Sequence, residues 1–147
     1  LVSETVFALE LRLEGFFGAD SNVSGGGALA GVHVGASSWF ANSPWGLLYM
    51  GGAELGAMSS WASVSVPADF SLELGAELLL SGDHRTGVIL SLSWAPRLLY
   101  NFAGSEVLSP YGAELALHFS TFEIPLWFLQ TSDQTTFVGL GFAYHLL

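Results

Sequence analysis

The sequence predicts an all-β fold: one domain over residues 1–147, with eight antiparallel strands closed into an up-and-down barrel. Its loops are short and its interior is polar and filled. Three observations predict it. Apolar residues recur with a period of two. No apolar run reaches the roughly 20 residues of a helical span. Charged residues are few, and the mid-strand ones stand opposite the apolar row.

Composition supports the same reading. The chain is 51% hydrophobic and 11% charged, with 13 acidic residues, three arginines and no lysine. A soluble domain carries about 25% charged residues, so these side chains cover a soluble globule poorly. Net charge −10 excludes a nucleic-acid partner, because phosphates demand Lys and Arg. With no Cys, disulfides, thiol catalysis and Cys-type zinc sites are excluded. The opening Leu1-Val-Ser-Glu-Thr5 lacks a basic n-region, which fits either a mature form or a chain that never carried a signal peptide.

The first strand is read at 4–17. Phe7, Leu9, Leu11 and Leu13 alternate with Ala8, Glu10, Arg12 and Glu14, so one face is apolar and the other charged. The loop Gly18–Gly25 leads to 26–40, and Ala41–Pro44 turns the chain into 45–57. A weak break at Met58–Ser60 opens a short strand at 60–67, and Pro67–Asp69 reads as a tight turn. In 69–81, Phe70, Leu72, Leu74, Ala76, Leu78 and Leu80 oppose Glu73 and Glu77. Gly82–Arg85 is a hairpin loop before 86–102. Ala103–Pro110 connects to 109–123, where Tyr111, Ala113, Leu115 and Leu117 oppose Gly112, Glu114 and His118. Gln130–Thr135 reads as a polar loop at the end of a connection over 124–134, before 134–147, where Val138, Leu140, Phe142 and Tyr144 oppose Gly139, Gly141 and His145.

Gly52-Ala-Glu-Leu55 recurs at 75–78 and 112–115, in the third, fifth and seventh segments, so alternating strands would point all three the same way. Gly beside Glu on one face makes room for a long polar side chain in a narrow barrel. Glu10, Glu14, Glu54, Glu73, Glu77 and Glu114 are mid-strand on the glycine-rich face. Glu4, Asp20, Asp69, Asp83, Glu106, Glu123 and Asp133 fall at strand ends or turns. An apolar outside and a polar inside imply a barrel that spans a membrane. Aromatics form two girdles in this reading: Trp39, Phe40, Trp45, Tyr100, Phe102, Tyr111 and Tyr144 at one rim, and Phe16, Phe17, Trp61, Phe119, Phe122, Trp127 and Phe128 at the other.

Three stretches carry a resemblance: Pro96-Arg-Leu-Leu-Tyr-Asn-Phe102, Ser109-Pro-Tyr-Gly-Ala-Glu-Leu115 and Phe137-Val-Gly-Leu-Gly-Phe-Ala-Tyr-His-Leu146. They resemble the small eight-stranded bacterial outer-membrane proteins of the OmpA-transmembrane-domain, OmpX and OmpW-like class. The last stretch is similar to the C-terminal signal read by the outer-membrane insertion machinery, although it ends on Leu147 rather than Phe. The resemblance implies an integral outer-membrane protein with both termini periplasmic. It implies contact with membrane lipids, lipopolysaccharide and the insertion machinery. Turns at 41–44, 67–69 and 103–110 would then be periplasmic, and loops at 18–25, 58–60, 82–85 and 124–134 external. The expected role is non-enzymatic: a structural or interaction protein, or a narrow conduit for small solutes.

Inside, Arg12 and Arg97 are expected to face the carboxylates Glu10, Glu14, Glu54, Glu73, Glu77 and Glu114, with His33, His118 and His145 beside them. Buried carboxylates need pairing or hydrogen bonds. No cofactor is expected, and no short ligand spacing supports a metal. Two other readings remain. A lipid A deacylase would use His118, Ser120 and Glu114, but Thr121 stands where that family has Asn. A soluble lipocalin-like barrel would put the charged face outside. The small patches Gly51/Ala53/Ala57 and Ala30/Ala36 are flat enough for lateral homo-oligomer contact.

Overall fold

The computed structural model describes residues 1–147 except 20–23, 61–62, 66, 102–104, 110, 131–135 and 147. At 19, 24, 57–60, 63–65, 67, 99–101 and 105–109 it describes the backbone only. Eight antiparallel strands form a closed barrel. They are β1 (Val2–Ala19), β2 (Ser24–Phe40), β3 (Trp45–Ser60), β4 (Ser63–Ser65 continued by Pro67–Ser81), β5 (Val88–Trp94 continued by Arg97–Asn101), β6 (Ser105–Ser109 continued by Tyr111–His118), β7 (Phe122–Gln130) and β8 (Thr136–His145). Each strand pairs with its chain neighbours, and β1 closes the ring on β8 from Glu10↔His145 to Ala19↔Thr136. Closure leaves both chain ends at one mouth, here called the near mouth.

The expected count of eight holds, but two of its strands were cut differently. Residues 60–67 are not a separate strand. Ser63–Ser65 pairs with β3 at Met58↔Ser65, and the same antiparallel register continues at Leu55↔Ala68. Hence Pro67–Asp69 is not a turn. Pro67 lacks an N–H, yet the strand carries on past it because its neighbours keep the ladder. Conversely, the segment 109–123 is a strand, a turn and the start of another strand. β6 ends at His118, the chain reverses at 119–121, and β7 runs through residues expected to be loop. Pro125 sits inside that strand, which disguises it in sequence. Pro96, by contrast, does interrupt β5, and the pairing is bridged by Ala95 N donating to Gly112 O at 2.9 Å and Leu72 N to Pro96 O at 3.2 Å.

These changes move features from end to end. The turn at 82–87 lies at the near mouth with 41–44 and 119–121, not at the far mouth with the ends of β1, β3, β5 and β7. The connection expected at 103–110 belongs to the far mouth, and most of it is strand. The Gly-Ala-Glu-Leu repeats fall in β3, β4 and β6, so the first runs opposite to the other two.

Alternation sets the two faces. Phe7, Leu13, Val34, Leu55, Phe70, Leu92, Leu140 and Phe142 are exposed on the outside. Inside, the near end is a cavity, the middle is charged, and the far end holds an apolar cluster of Phe16, Leu29, Trp127, Leu129 and Phe137. The girdles are therefore corrected. Trp39 and Trp127, 0% and 1% exposed, point inward rather than to an interface. Tyr111 is exposed but at the far mouth, opposite Gln130, whereas Phe119 and Phe122 stack at 4.6 Å near the other. Trp45 and Tyr144 are exposed aromatics of the near half. Trp61, Phe102 and the Tyr100 side chain lie outside the described residues. Of the flat lateral patches, Ala36 is buried between the positions of its cross-strand partners Phe7 and Tyr49 and is not available for contact, while Ala30 and Ala53 stay exposed.

Glycine lets these inner side chains pack. The Trp127 indole lies across its partner Gly139, where an added Cβ would stand 2.0 Å from Cε2. Arg97 covers the ring with its guanidinium carbon at 4.1 Å, and Phe16 lies at 6.1 Å. Boxed in this way, the indole has little room to shift. Gly139→Ala should lower the urea midpoint of the barrel in detergent by an amount equivalent to about 1–3 kcal/mol. Trp127→Leu in the same chain should restore most of it. An unchanged midpoint for the single variant would show that the ring relaxes freely.

Candidate functional site

Even-numbered residues of β1 face inward, which places Glu10, Arg12 and Glu14 in a column through the lumen. Arg12, 2% exposed, is the hub. Its Nη1 donates to Glu14 at 3.3 Å, Glu73 at 3.2 Å and Glu114 at 3.0 Å. Its Nη2 donates to Glu10 at 2.8 Å and Glu123 at 3.1 Å. Toward the far end, Arg97 donates from Nη1 to Asp69 at 2.7 Å and to Glu14 at 3.0 Å, and approaches Glu114 at 3.7 Å. His33 Nε2 meets Glu54 at 2.5 Å, with Glu73 at 3.4 Å on its other nitrogen. Gly52 faces the His33 ring, and only a residue without a side chain leaves space for it.

Every residue of the expected interior network (Glu10, Arg12, Glu14, His33, Glu54, Glu73, Glu77, Arg97, Glu114, His118 and His145) points into the lumen. Asp69 and Glu123 join them, each 1% exposed, although the sequence reading put both at strand ends. The signal that finds them is pairing: Asp69 opposes Glu54 and Glu123 opposes His118, both inward residues.

At the near end a cavity of about 390 Å³ opens above this network. Val6, Ala8, Leu48, Met50 and Ile89 form apolar walls, and Glu10, Glu77, His118, Glu123 and His145 form the floor. The β4–β5 turn bends over it. Gly82 takes a φ of 78°, a left-handed conformation that suits glycine. Asp83 then fixes the turn, accepting from the Arg85 and Thr86 amides at 2.8 and 2.7 Å. The Thr86 amide, then that of Arg85, holds the Asp83 carboxyl below its ordinary pKa. The turn lays the His84 ring on Trp39, with centroids 4.3 Å apart and planes 2° from parallel. His84 and Arg85 also reach Glu4, at 3.1 and 3.0 Å.

Within the floor, two histidines and two of the three carboxylates lie close together. His118 Nδ1 lies 2.8 Å from Glu123 Oε2, and His145 Nε2 lies 3.3 Å from Glu10 Oε2 and 3.6 Å from Glu123 Oε2. Ligand atoms of His118, Glu123 and His145 fall within 4.8 Å of one another. No spacing in the chain announces this group, because β6, β7 and β8 bring it together.

The residues of the deacylase reading are not brought together. His118 points inward, Ser120 is exposed in the turn, and Glu114 is held by Arg12. His118 Nε2 pairs instead with Ser91 Oγ at 2.8 Å. Ser91–His118–Glu123 has the order of a hydrolytic triad, but Ser91 is 2% exposed and does not line the cavity. The lipocalin-like reading also fails on placement, since the charged face is inside.

Closed hydrogen bonding around the ring, apolar side chains outside and ion pairs inside define a transmembrane β-barrel. No protein-family model and no curated protein matches the chain. Among solved structures it is similar to Ail, the attachment invasion locus protein of Yersinia pestis, in complex with the heparin analogue sucrose octasulfate. Identity is 13% over 98% of this chain and 100% of that one, with a TM-score of 0.49. It is similar also to a structure from the de novo design of transmembrane β-barrels, 14% identical over 95% of each chain, with a TM-score of 0.46.

Proposed function

We propose that this chain is a sealed, non-enzymatic barrel of a bacterial outer membrane, with both termini in the periplasm. Its role is structural or in lateral interaction, and its partners are membrane lipids, lipopolysaccharide and, during biogenesis, the insertion machinery. The observation that carries the reading is the inverted surface, with leucine, valine and phenylalanine outside and arginine–carboxylate pairs inside. Sealing is supported by the lumen itself. The Arg12 and Arg97 network spans its middle, and the Phe16–Trp127–Phe137 cluster fills the far end. An eight-stranded barrel has room for little more than its own side chains.

The protein should fractionate with the outer membrane, require detergent once extracted, and migrate differently on a gel before and after boiling. Recovery in a detergent-free soluble fraction would overturn the membrane assignment. In a planar bilayer the folded barrel should stay silent. A steady single-channel conductance would instead support the narrow conduit.

A further inference from the structure

The near-mouth floor has the chemistry of a metal site, and we infer that His118, Glu123 and His145, with Glu10 as a fourth donor, bind a divalent transition ion such as Zn2+. Imidazole nitrogens and carboxylate oxygens are the donors zinc takes, commonly four in tetrahedral array. The ligand atoms of the first three already lie within 4.8 Å of one another, so small side-chain adjustments let one ion bridge them.

Two further observations point to a cation. Glu10 and Glu123 each spend one oxygen on Arg12, at 2.8 and 3.1 Å. The other oxygen of each is buried and meets only histidine nitrogens, Glu123 Oε2 at 2.8 Å from His118 Nδ1 and Glu10 Oε2 at 3.3 Å from His145 Nε2. The second concerns His118. Its Nε2 is engaged by Ser91 Oγ at 2.8 Å, which leaves Nδ1 toward Glu123. Metal-binding histidines usually donate their remote N–H to such an outer partner, which fixes the tautomer and aims the ring. Arg12 does the same for both carboxylates. The adjoining cavity admits the ion from the near mouth, past His84 and Arg85. The group stands apart from His33, whose nitrogens both face other carboxylates.

The test uses the full chain refolded in detergent micelles, stripped with EDTA and titrated with Co2+ and then Zn2+. One Co2+ per barrel should give a visible ligand-field band that Zn2+ abolishes. Zn2+ should also raise the unfolding temperature. His145→Gln, at the strand end, should remove the band while the barrel still shows its unboiled migration. Ser91→Ala should weaken Zn2+ binding on the order of 10-fold or more, as loss of an outer partner does. His33→Gln should leave the band intact. A folded wild-type barrel with no band and no zinc-dependent stabilisation overturns the site. So does a His145→Gln variant that binds like the wild type.

Discussion

Replacing Arg12 by Met is expected to destabilise the barrel by about 3–5 kcal/mol, the usual cost of removing one partner from a buried ion pair. The expectation rests on how much one side chain neutralises. Two guanidinium nitrogens serve Glu10, Glu14, Glu73, Glu114 and Glu123, all 2% exposed or less. Without Arg12 the central column keeps only Arg97 and the histidines against those carboxylates. Lys should rescue poorly, because a single ammonium lacks the planar fork that reaches both groups of acids at once. Adding Glu73→Gln and Glu114→Gln to Arg12→Met should recover part of the loss, since the variants share one network and do not add. Urea unfolding in detergent, followed by tryptophan fluorescence, measures each midpoint. A single variant with a wild-type midpoint would mean that the acids are satisfied without the arginine.

Leu13→Arg is the second large expected effect, and it reads the solvent on the outer face. Leu13 lies mid-strand on β1, 60% exposed, between Ala30 of β2 and Phe142 of β8. In lipid, a charge on the outer face of a barrel costs about 2–4 kcal/mol at the midplane and much less near the interfaces. Folding into lipid vesicles should therefore weaken by that order for Leu13→Arg. It should weaken far less for Trp45→Arg at the near rim. In a water-facing barrel both changes would be neutral or would improve solubility. Equal, small effects at the two positions would mean that the apolar belt does not face hydrocarbon.

Much of this arrangement is legible in the sequence because strand alternation is local. Whether Glu10 or Leu11 faces inward depends on parity along one strand, and parity survives errors in strand ends. For that reason the inward-facing residues follow from the sequence without any knowledge of topology. Strand ends were less legible. The turn at 119–121, Phe-Ser-Thr, contains no Gly, Pro, Asn or Asp, whereas Pro67 and Pro125 lie inside strands and look like punctuation. Sequence punctuation therefore hides the strand at Phe122–Gln130 and suggests a separate one at 60–67, so the two differences cancel in the count of eight. The aromatic girdles suffered most. Which mouth an aromatic lies at depends on every preceding reversal, and Trp39 and Trp127 lie on the inner face of their strands.

By itself the sequence determined an all-β, membrane-facing barrel with its charges inside, because composition and a period of two are properties of single strands. Only the tertiary structure decided which charges meet. Register across β1, β4, β5, β6 and β7 joins Arg12 and Arg97 to acids as many as 111 residues away. The same closure sets His118, Glu123 and His145 within reach of one ion. Those contacts arise between strands, where separation along the chain carries no information about distance.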